Sequence, residues 1–317
     1  MRANRPLLQT SLSVLVAGSI VAISSACSIK HLAVNKLGNA LASSGSTFET
    51  DDDPELVASA VPFGLKFYES LLAESPNHPG LLLAACSGFT EYSYAFVDSR
   101  IDEVKDQDLD RANALRARAR RLYLRAYGYG MRGLGARYKG FSTDLDNDAP
   151  AALKHVQKRD VPLLYWTAAS RGLTISLSKN NPELIAELPL VGMIVKRVEE
   201  LDEGFDRGAV PEFLITLEAA RTGVKAEEQQ KRMRQHFERA LELSKGKRAS
   251  TYVSFAENAD VPAQNSAEFK SMLEKALAIN VDDDVDDRLA NTIAQRRARW
   301  LLAHMNQLFL AAEAKGE

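Results

Sequence analysis

Apolar residues recur at steps of three and four along most of the sequence after residue 50, which is the spacing of one helix face. Between residues 110 and 126 this set is Ala112, Leu115, Ala119, Leu122 and Ala126. Asp53-Pro54 and Asn181-Pro182 are typical helix starts, because the side-chain oxygen caps free amides and Pro loses no hydrogen bond there. No stretch alternates apolar and polar residues long enough to predict a strand. The sequence therefore predicts an all-α protein.

Five segments share one helix-end pattern, in which a large apolar residue is followed three residues later by Ala, Val or Leu. They are YESLLAESP (68–76), YLRAYGYGM (123–131), VKRVEELDE (195–203), FERALELSK (237–245) and LEKALAINV (273–281). The pattern resembles the end of the second helix of a tetratricopeptide (TPR) repeat. Because the copies are spaced unevenly, against about 34 residues for a regular repeat, we predict a TPR-like helical superhelix with degenerate repeats. A helical bundle with coincidental periodicity is the alternative.

The stretch GYGMRGLG at residues 128–135 has the glycine spacing of a dinucleotide-binding loop. Such a loop follows a buried strand and opens a helix, whereas these glycines follow the amphipathic helix of residues 110–126. The side chains between the glycines are also bulky for a backbone that must approach a phosphate. We therefore interpret residues 128–141 as the frayed end of that helix and its connector, and we predict no nucleotide site.

Residues 144–148 begin like a calcium-binding loop, with aspartates at alternate positions. Ala149 and His155, however, stand where the turn glycine and the bidentate glutamate of such a loop belong. We interpret this segment, and the acidic run at residues 282–287, as solvated loops. The five histidines show no metal-ligand spacing, so we expect neither a metal nor another cofactor.

No pattern in the sequence assembles a catalytic triad, a pair of catalytic carboxylates or a phosphate loop. Cys86 lies in the apolar run of residues 81–89 and is interpreted as a buried small hydrophobe rather than a nucleophile. We therefore predict a protein that is not an enzyme. The formal net charge of −2 gives no broad attraction for nucleic acid, so no nucleic-acid partner is expected.

The N-terminus has the layout of a secretory signal peptide, with two arginines before an uncharged apolar stretch at residues 7–23. Small residues precede Cys27, as in a bacterial lipobox, although Ser24 replaces the usual Leu. We expect a signal peptide over residues 1–26, a lipid-anchored segment over residues 27–50 and one TPR-like helical domain over residues 51–317. Lipid on Cys27 would place the protein in the periplasm, at the outer membrane. Ordinary signal cleavage is the alternative.

Four extended stretches carry a family resemblance. They are CSIKHLAVNKLGNALASSGSTFETDDDPELV (27–57), LLAESPNHPGLLLAACSGFTEYSYAFV (71–97), VPLLYWTAASRGLTISLSKNNPEL (161–184) and RLANTIAQRRARWLL (288–302). Together they resemble the TatT-like proteins, which are periplasmic, usually lipid-anchored TPR-type accessory components of TRAP (tripartite ATP-independent periplasmic) transporters. The resemblance is specific for the family and weak for individual functional residues.

This resemblance implies an α-helical, TPR-like superhelix around a central pore or cavity. It also implies association with the periplasmic substrate-binding protein of a TRAP system, and transfer of a small hydrophobic or carboxylated ligand. The N-terminal lipid would supply the contact with the membrane. The sequence leaves the oligomeric state open, with a homo-oligomer among the arrangements considered.

Two apolar stretches contain a single charge each, Glu91 within residues 79–97 and Arg171 within residues 161–178. A charge on a helix buried between other helices costs several kcal/mol unless it is paired or faces a wet cavity. Arg297 similarly falls within the apolar stripe of the C-terminal helix. These three residues are therefore candidates for lining a cavity.

Two interpretations of the arginines remain open. Arg171 or Arg297 anchors an anion in the cavity, since the planar guanidinium suits a carboxylate held away from water. Alternatively, both form internal salt bridges with Glu91, Glu212 or Glu218, which is the interpretation we favour. We expect Arg171 to be the structural pair and Arg297 to tolerate substitution better.

Aromatic residues complete the set of cavity candidates, although such residues more often belong to the core. The cavity and ligand candidates are Glu91, Tyr92, Tyr94, Tyr165, Trp166, Arg171, Phe213 and Arg297. Two functional hypotheses follow from the sequence. One is a transporter-associated carrier or adaptor with an internal cavity, and the other is a lipid-anchored structural TPR scaffold for envelope proteins, without a ligand cavity.

Overall fold

The computed structural model describes residues 36–38 and 47–310, and every regular element in these ranges is helical. The all-α prediction is therefore confirmed for the described chain. The predicted signal peptide and Cys27 lie outside the described residues. After residue 50 the α-helices are α1 (Pro54–Glu74), α2 (Pro79–Ser93), α3 (Arg100–Val104), α4 (Leu109–Arg137), α5 (Phe141–Asn147), α6 (Ala149–Lys154), α7 (Val161–Ser176), α8 (Pro182–Ile185), α9 (Leu188–Asp202), α10 (Ala209–Ala220), α11 (Ala226–Ser244), α12 (Ala249–Phe255), α13 (Ser266–Ala278), α14 (Arg288–Ala303) and α15 (Met305–Leu308).

Both helix starts that the sequence predicts are confirmed. The side-chain Oδ1 of Asp53 accepts a hydrogen bond from a first-turn amide of α1 at 2.9 Å. Asn181 does the same at the start of α8, at 3.0 Å. Pro54 and Pro182 are the first helical residues, where the missing amide leaves no hydrogen bond unmade.

The helices pack largely against neighbours along the chain. In the first half α4 lies between α2 and α7, and α9 packs on α7; in the second half α10 pairs with α11, and α12, α13 and α14 pack together. Leu217 of α10 belongs to the core of the first half, whereas Ile215 of the same helix belongs to the core of the second. Helix α10 therefore joins the two core regions.

The beginning and the end of the described chain meet. Helix α14 contacts α1, and the backbone amide of Leu289 donates to the carbonyl of Glu49 at 3.0 Å. The guanidinium of Arg288 donates to the carbonyl of Thr50 at 3.1 Å. These bonds close the succession of helices, so residues from both halves can face a common interior.

The glycine-rich stretch is helical rather than frayed. Helix α4 continues through the glycines to Arg137, in contrast to the interpretation of residues 128–141 as a helix end and connector. Gly130 and Gly133 lie on its buried face, and Gly130 lies against Thr167 of α7 and Cys86 of α2. Glycine is used here because two other helices approach the backbone closely, which a Cβ would prevent.

The two acidic segments are also more ordered than the sequence pattern predicts. Residues 144–147 lie in α5, and Asp148 caps α6 by accepting a hydrogen bond from the amide of Ala151 at 3.0 Å. Residues 282–287 form two 3₁₀ turns, and Asp287 is buried. The assignment of these segments to loops is wrong, because they form helical turns, whereas most of their carboxylates are exposed as expected and Asp287 is buried.

Helix α1 is long and apolar enough to cross a membrane, judged by length and composition alone. Core helices of soluble proteins pass the same test. Leu65, Leu71 and Leu72 of α1 are buried in a core cluster shared with α2 and α4. We therefore treat α1 as part of the helical domain.

Candidate functional site

Two π-helical turns occur at similar places in the two halves of the chain. Tyr94–Asp98 follows α2 directly, and Ala256–Asp260 follows α12 directly. A π turn widens the helix by one residue and is frequent at functional sites. Asp102, beside the first turn, and Glu257, on the second, both bind Arg297 of α14.

Arg297 of α14 connects the two regions. Its Nη2 donates to Oδ2 of Asp102 at 2.6 Å, just beyond the first π turn, and its Nε and Nη2 donate to Oε1 of Glu257 at 3.0 and 2.5 Å. The guanidinium also lies over the ring of Trp300, 4.7 Å from the centroid. Nη1 is buried and has no hydrogen-bond partner in the described chain. One arginine thus ties together segments far apart in sequence.

A second charged cluster surrounds the turn before α10. Asp206 and Arg207 have positive φ angles of 44° and 51°, a conformation that costs about 1–3 kcal/mol for such residues. Arg248 donates to Oδ1 of Asp206 at 2.6 Å and to Oδ1 of Asp287 at 3.2 Å. Arg207 pairs with Asp287 at 2.8 Å. These ion pairs hold the strained turn and fix the position of the Asp206 carboxylate.

Glu212 of α10 lies beside this cluster. Its Oε2 accepts hydrogen bonds from Ser250 at 3.1 Å and from Thr251 at 2.7 Å. Burial displaces water from the carboxylate and raises its pKa, the charge of Arg248 and the two hydrogen bonds lower it, and the charge of Asp206 raises it. The net shift is upward, so the surroundings of Glu212 disfavour its ionised form.

The side chain of Glu91 in α2 is exposed to solvent, although the protein around it displaces part of the water that would hydrate its carboxylate. Its side chain is reached by solvent, and it forms no hydrogen bond or ion pair with any residue in the described ranges. Burial by the surrounding protein nevertheless raises its pKa to about 7, with further contributions from the charges of Glu49 and Asp206. The carboxylate of Glu91 is therefore open to water on one side, and the protein around it disfavours its ionised form.

Tyr94 has the same combination of properties. Its side chain is 55% exposed, yet burial raises its pKa, as do the charges of Glu257 and Glu212. The charges of Glu49, Asp206, Glu212 and Glu257 each shift the pKa of at least one of Glu91, Tyr94 and Glu212. We call the five carboxylates of this set the interior acidic surface; they are Glu49, Glu91, Asp206, Glu212 and Glu257.

Three of the predicted aromatic residues form one cluster. The ring of Tyr165 contacts Trp166 edge-on at a centroid distance of 5.1 Å and Phe213 at 6.2 Å. Tyr165 is 8% exposed, and its hydroxyl donates to the carbonyl of Ala209 at 3.4 Å. The charges of Glu212 and Asp206 still affect its pKa, which burial raises. The cluster is therefore core that borders the interior acidic surface.

Tyr92 belongs to a different part of the molecule. Its ring packs on Phe96 at 5.8 Å, and its hydroxyl accepts a hydrogen bond from Arg118 at 3.2 Å. It lies in the groove between α2 and α4. The structure therefore separates Tyr92 from Tyr94, which the sequence groups together, because residues two positions apart point to different sides of a helix.

Arg171 forms an internal salt bridge with Glu187. Its Nε donates to Oε2 of Glu187 at 2.6 Å, and its Nη2 bonds the other carboxylate oxygen. The guanidinium lies over the ring of Tyr127, 4.9 Å from the centroid. Only 14% of the Arg171 side chain is exposed. All of its strong contacts are thus within the protein.

The partners of the two arginines differ from those named from the sequence. Arg171 and Arg297 pair with neither Glu91, Glu212 nor Glu218. The carboxylates that they do bind, and Arg248, show no local sequence signal, because helix packing rather than spacing along the chain brings them together. The one visible signal is the glycine after Asp206 and Arg207, which is typical of a tight turn.

We expect the Glu91→Gln variant to be more stable than the wild type above pH 7. The pKa of Glu91 is higher in the folded protein than in the unfolded chain, so the unfolded chain gives up this proton at a lower pH. The wild type therefore loses stability as the pH rises from about 4.5 to about 7. Allowing for solvent screening, the gain of the variant is about 1 kcal/mol at pH 8 and disappears at pH 4. Urea unfolding at both pH values measures it.

The matched control is Asp106→Asn, which changes an exposed carboxylate that forms no hydrogen bond or ion pair within the described residues. This variant should match the wild type within about 0.5 kcal/mol at both pH values. A Glu91→Gln variant less stable than the wild type at pH 8 would show that Glu91 makes a stabilising contact.

The sequence matches a known family over most of its length. Residues 50–309 match the family described as TRAP transporter T-component. A protein of Treponema pallidum (strain Nichols), described as an uncharacterized protein, is 28% identical over 302 residues, which cover 90% of this chain and 93% of the relative. The family match spans most of the sequence and nearly all of the described helices. The chain therefore belongs to the TRAP transporter T-component family.

Proposed function

We propose that the protein is a non-enzymatic accessory component of a TRAP transport system that binds the periplasmic substrate-binding protein and passes a small ligand through its concave interior. Family membership supports the role in transport. The observation that supports a ligand is Glu91, which is exposed, desolvated and unpaired within the described ranges. Such a carboxylate costs stability and makes no structural contact, as is typical of functional residues.

The charges of the interior favour an apolar ligand over a free carboxylate. Arg297 and Arg248 each already contact two carboxylates. The remaining charge of the interior acidic surface is negative and would repel an anion.

The proposal includes a TPR-like superhelix with degenerate repeats as the scaffold of this interior. Three features support it: successive helices pack as neighbours, the two halves each end a helix pair in a π turn, and α14 meets α1. In this arrangement the interior acidic surface lines the central space. The aromatic cluster around Tyr165 then forms part of its wall.

We also propose that the chain is a lipoprotein anchored through Cys27 at the outer membrane, on its periplasmic side. The lipobox-like residues before Cys27 support this, and no Asp follows Cys27 as an inner-membrane retention signal. A Cys27→Ser variant should therefore move from the membrane fraction to the soluble periplasmic fraction. Unchanged membrane fractionation of this variant would contradict the anchor.

Binding of the TRAP substrate-binding protein is tested with purified proteins. The mature chain without lipid and the TRAP substrate-binding protein of the same bacterium should form a complex that sediments faster than either protein alone. Formation at micromolar concentration is expected, since transient interfaces of ordinary size reach about this affinity. Absence of a complex at ten times that concentration would contradict the proposed function.

A second readout separates a carrier from a scaffold. A neutral apolar dye, N-phenyl-naphthylamine, should bind the wild type and lose affinity when Tyr94→Asp adds a carboxylate to the interior. Phe63 and Phe67 form an exposed stacked pair on α1, so the Phe63→Ser/Phe67→Ser variant is the control for dye on the outer surface and should keep the binding. If the protein complex forms but Tyr94→Asp does not change the affinity for the dye, the result favours a scaffold over a carrier.

A further inference from the structure

Helix α4 carries an unusual concentration of arginine. Its 29 residues include eight arginines, no lysine and a single acidic residue, Asp110. The whole chain has a formal net charge of only −2. Positive charge is therefore gathered on one helix rather than spread over the surface, and this concentration requires an explanation of its own.

Five of these arginines lie on one exposed side of α4. They recur at steps of three, four and seven, which places them on one helix face over about 31 Å. We call this surface the arginine face; its members are Arg111, Arg118, Arg121, Arg125 and Arg132, all of them exposed. Glu91 belongs to the opposite side of α2 from the residues that contact this face, so the arginine face and the interior acidic surface are separate.

Aromatic rings from the groove between α2 and α4 hold three of these guanidinium groups in place. The guanidinium carbon of Arg118 lies 5.9 Å from the ring centroid of Tyr92. Arg125 lies 5.0 Å from Phe89, and Arg132 lies 5.2 Å from Tyr129. The ring of Phe89 also stacks on the ring of Tyr129, with the centroids 5.9 Å apart. Stacking fixes the guanidinium planes and leaves their donor edges free.

The hydrogen-bonding capacity of the arginine face is largely unused. Arg125 forms an ion pair with Glu69, and Arg118 donates to the hydroxyl of Tyr92, its one side-chain partner among the described residues. The side chains of Arg111, Arg121 and Arg132 form no hydrogen bond or ion pair within the described chain. Arg118 and Arg132 are stacked on aromatic rings and bind no carboxylate among the described residues, so their guanidinium groups are suited to bidentate contacts with carboxylates.

We propose that the arginine face is the docking surface for the TRAP substrate-binding protein, which would present a row of acidic side chains to it. This inference rests on the proposed function and adds the surface and the chemistry of the contact. Complementary charge steers the two proteins together and fixes the register of the complex. Arginine rather than lysine gives such a surface directional, paired hydrogen bonds.

A protein partner fits this surface better than a membrane. Anionic lipid head groups diffuse laterally and are bound as readily by flexible lysines as by fixed arginines. Guanidinium planes held by aromatic stacking gain affinity only from a partner whose carboxylates are also fixed, because the ordering cost has been met on both sides before contact. An anionic membrane is therefore treated as the competing outcome of the test.

The test compares two double variants on the same helix. Arg118→Gln/Arg121→Gln removes two charges from the arginine face. Arg116→Gln/Arg120→Gln removes two charges from another side of α4. We expect the first to weaken binding of the purified substrate-binding protein roughly 100-fold, and the second to leave the affinity within about 2-fold. Titration at low and high salt should show a smaller salt dependence for the first variant only.

The Arg121→Glu variant serves as a control for folding, since Arg121 is exposed and forms no side-chain hydrogen bond or ion pair within the described residues. This reversal should weaken the complex without changing the thermal melt. If the two double variants bind the substrate-binding protein with equal affinity, the arginine face is not the docking surface, but the proposed function still holds. No complex for the wild type would overturn both. Binding to phosphatidylglycerol vesicles that depends on Arg118 and Arg121, with an unaffected protein complex, would assign the surface to lipid instead.

Discussion

Replacing Arg297 with Met should lower the free energy of unfolding by about 3 kcal/mol, because two carboxylates lose their shared cation. Asp102 and Glu257 are bound only 2.6 and 2.5 Å from the guanidinium. Only 20% of the Arg297 side chain is exposed, so water replaces it poorly. The stack on Trp300 is lost as well. Urea unfolding at pH 7 measures the change.

The neighbouring arginine offers a matched control. Arg296 pairs with Glu55 at 2.8 Å, but both side chains are mostly exposed. Arg296→Met should therefore change the stability by no more than about 0.5 kcal/mol. The sequence favours Arg297 as the more tolerant of the two lone arginines. The contacts in the structure lead us to expect the opposite order, because Arg171 binds one carboxylate and Arg297 binds two.

A compensated variant tests the electrostatic cause. Adding Asp102→Asn and Glu257→Gln to Arg297→Met removes the stranded charges and should recover more than half of the lost stability. If the triple variant is no more stable than Arg297→Met alone, the loss comes from packing against Trp300 rather than from charge. A drop below about 1 kcal/mol for Arg297→Met would leave the anion-anchor interpretation open.

Gly130→Ala should destabilise the protein by about 2–3 kcal/mol, although Ala normally stabilises a helix by about 1 kcal/mol relative to Gly. A Cβ on Gly130 would overlap Oγ1 of Thr167 and lie 3.1 Å from Sγ of Cys86. Thr167 is fully buried and donates to the carbonyl of Leu163 at 2.6 Å. The contact between α4 and α7 must therefore open.

Two other glycines of the same stretch provide the control. A Cβ on Gly128 or Gly135 would meet no atom within 4 Å. Gly128→Ala and Gly135→Ala should each stabilise the protein by up to about 1 kcal/mol through helix propensity alone. Chemical unfolding should therefore give a lower free energy of unfolding for Gly130→Ala and a higher one for Gly128→Ala and Gly135→Ala. If Gly130→Ala is stabilised as well, α7 moves to make room for the added methyl group.

Local sequence patterns predicted the helices of this protein well, because helix starts and apolar faces depend on residues within a few positions of one another. Asp53-Pro54 and Asn181-Pro182 begin helices as their chemistry requires. The buried position of Cys86 also follows from its apolar surroundings. The glycines of residues 128–135 were misleading, since glycine weakens a helix locally but here permits the close packing that keeps α4 continuous.

The sequence by itself determined the helical class, the helix starts and membership of the TRAP transporter T-component family. Tertiary structure alone decided the polar site. Arg297 meets Asp102 across 195 positions of the chain, and the carboxylates of the interior acidic surface come from separate segments of the chain. Such contacts depend on how helices pack and on where the chain closes on itself. Electrostatic energy depends on distance in space and on displaced water, and neither quantity is encoded in the spacing of residues along the sequence.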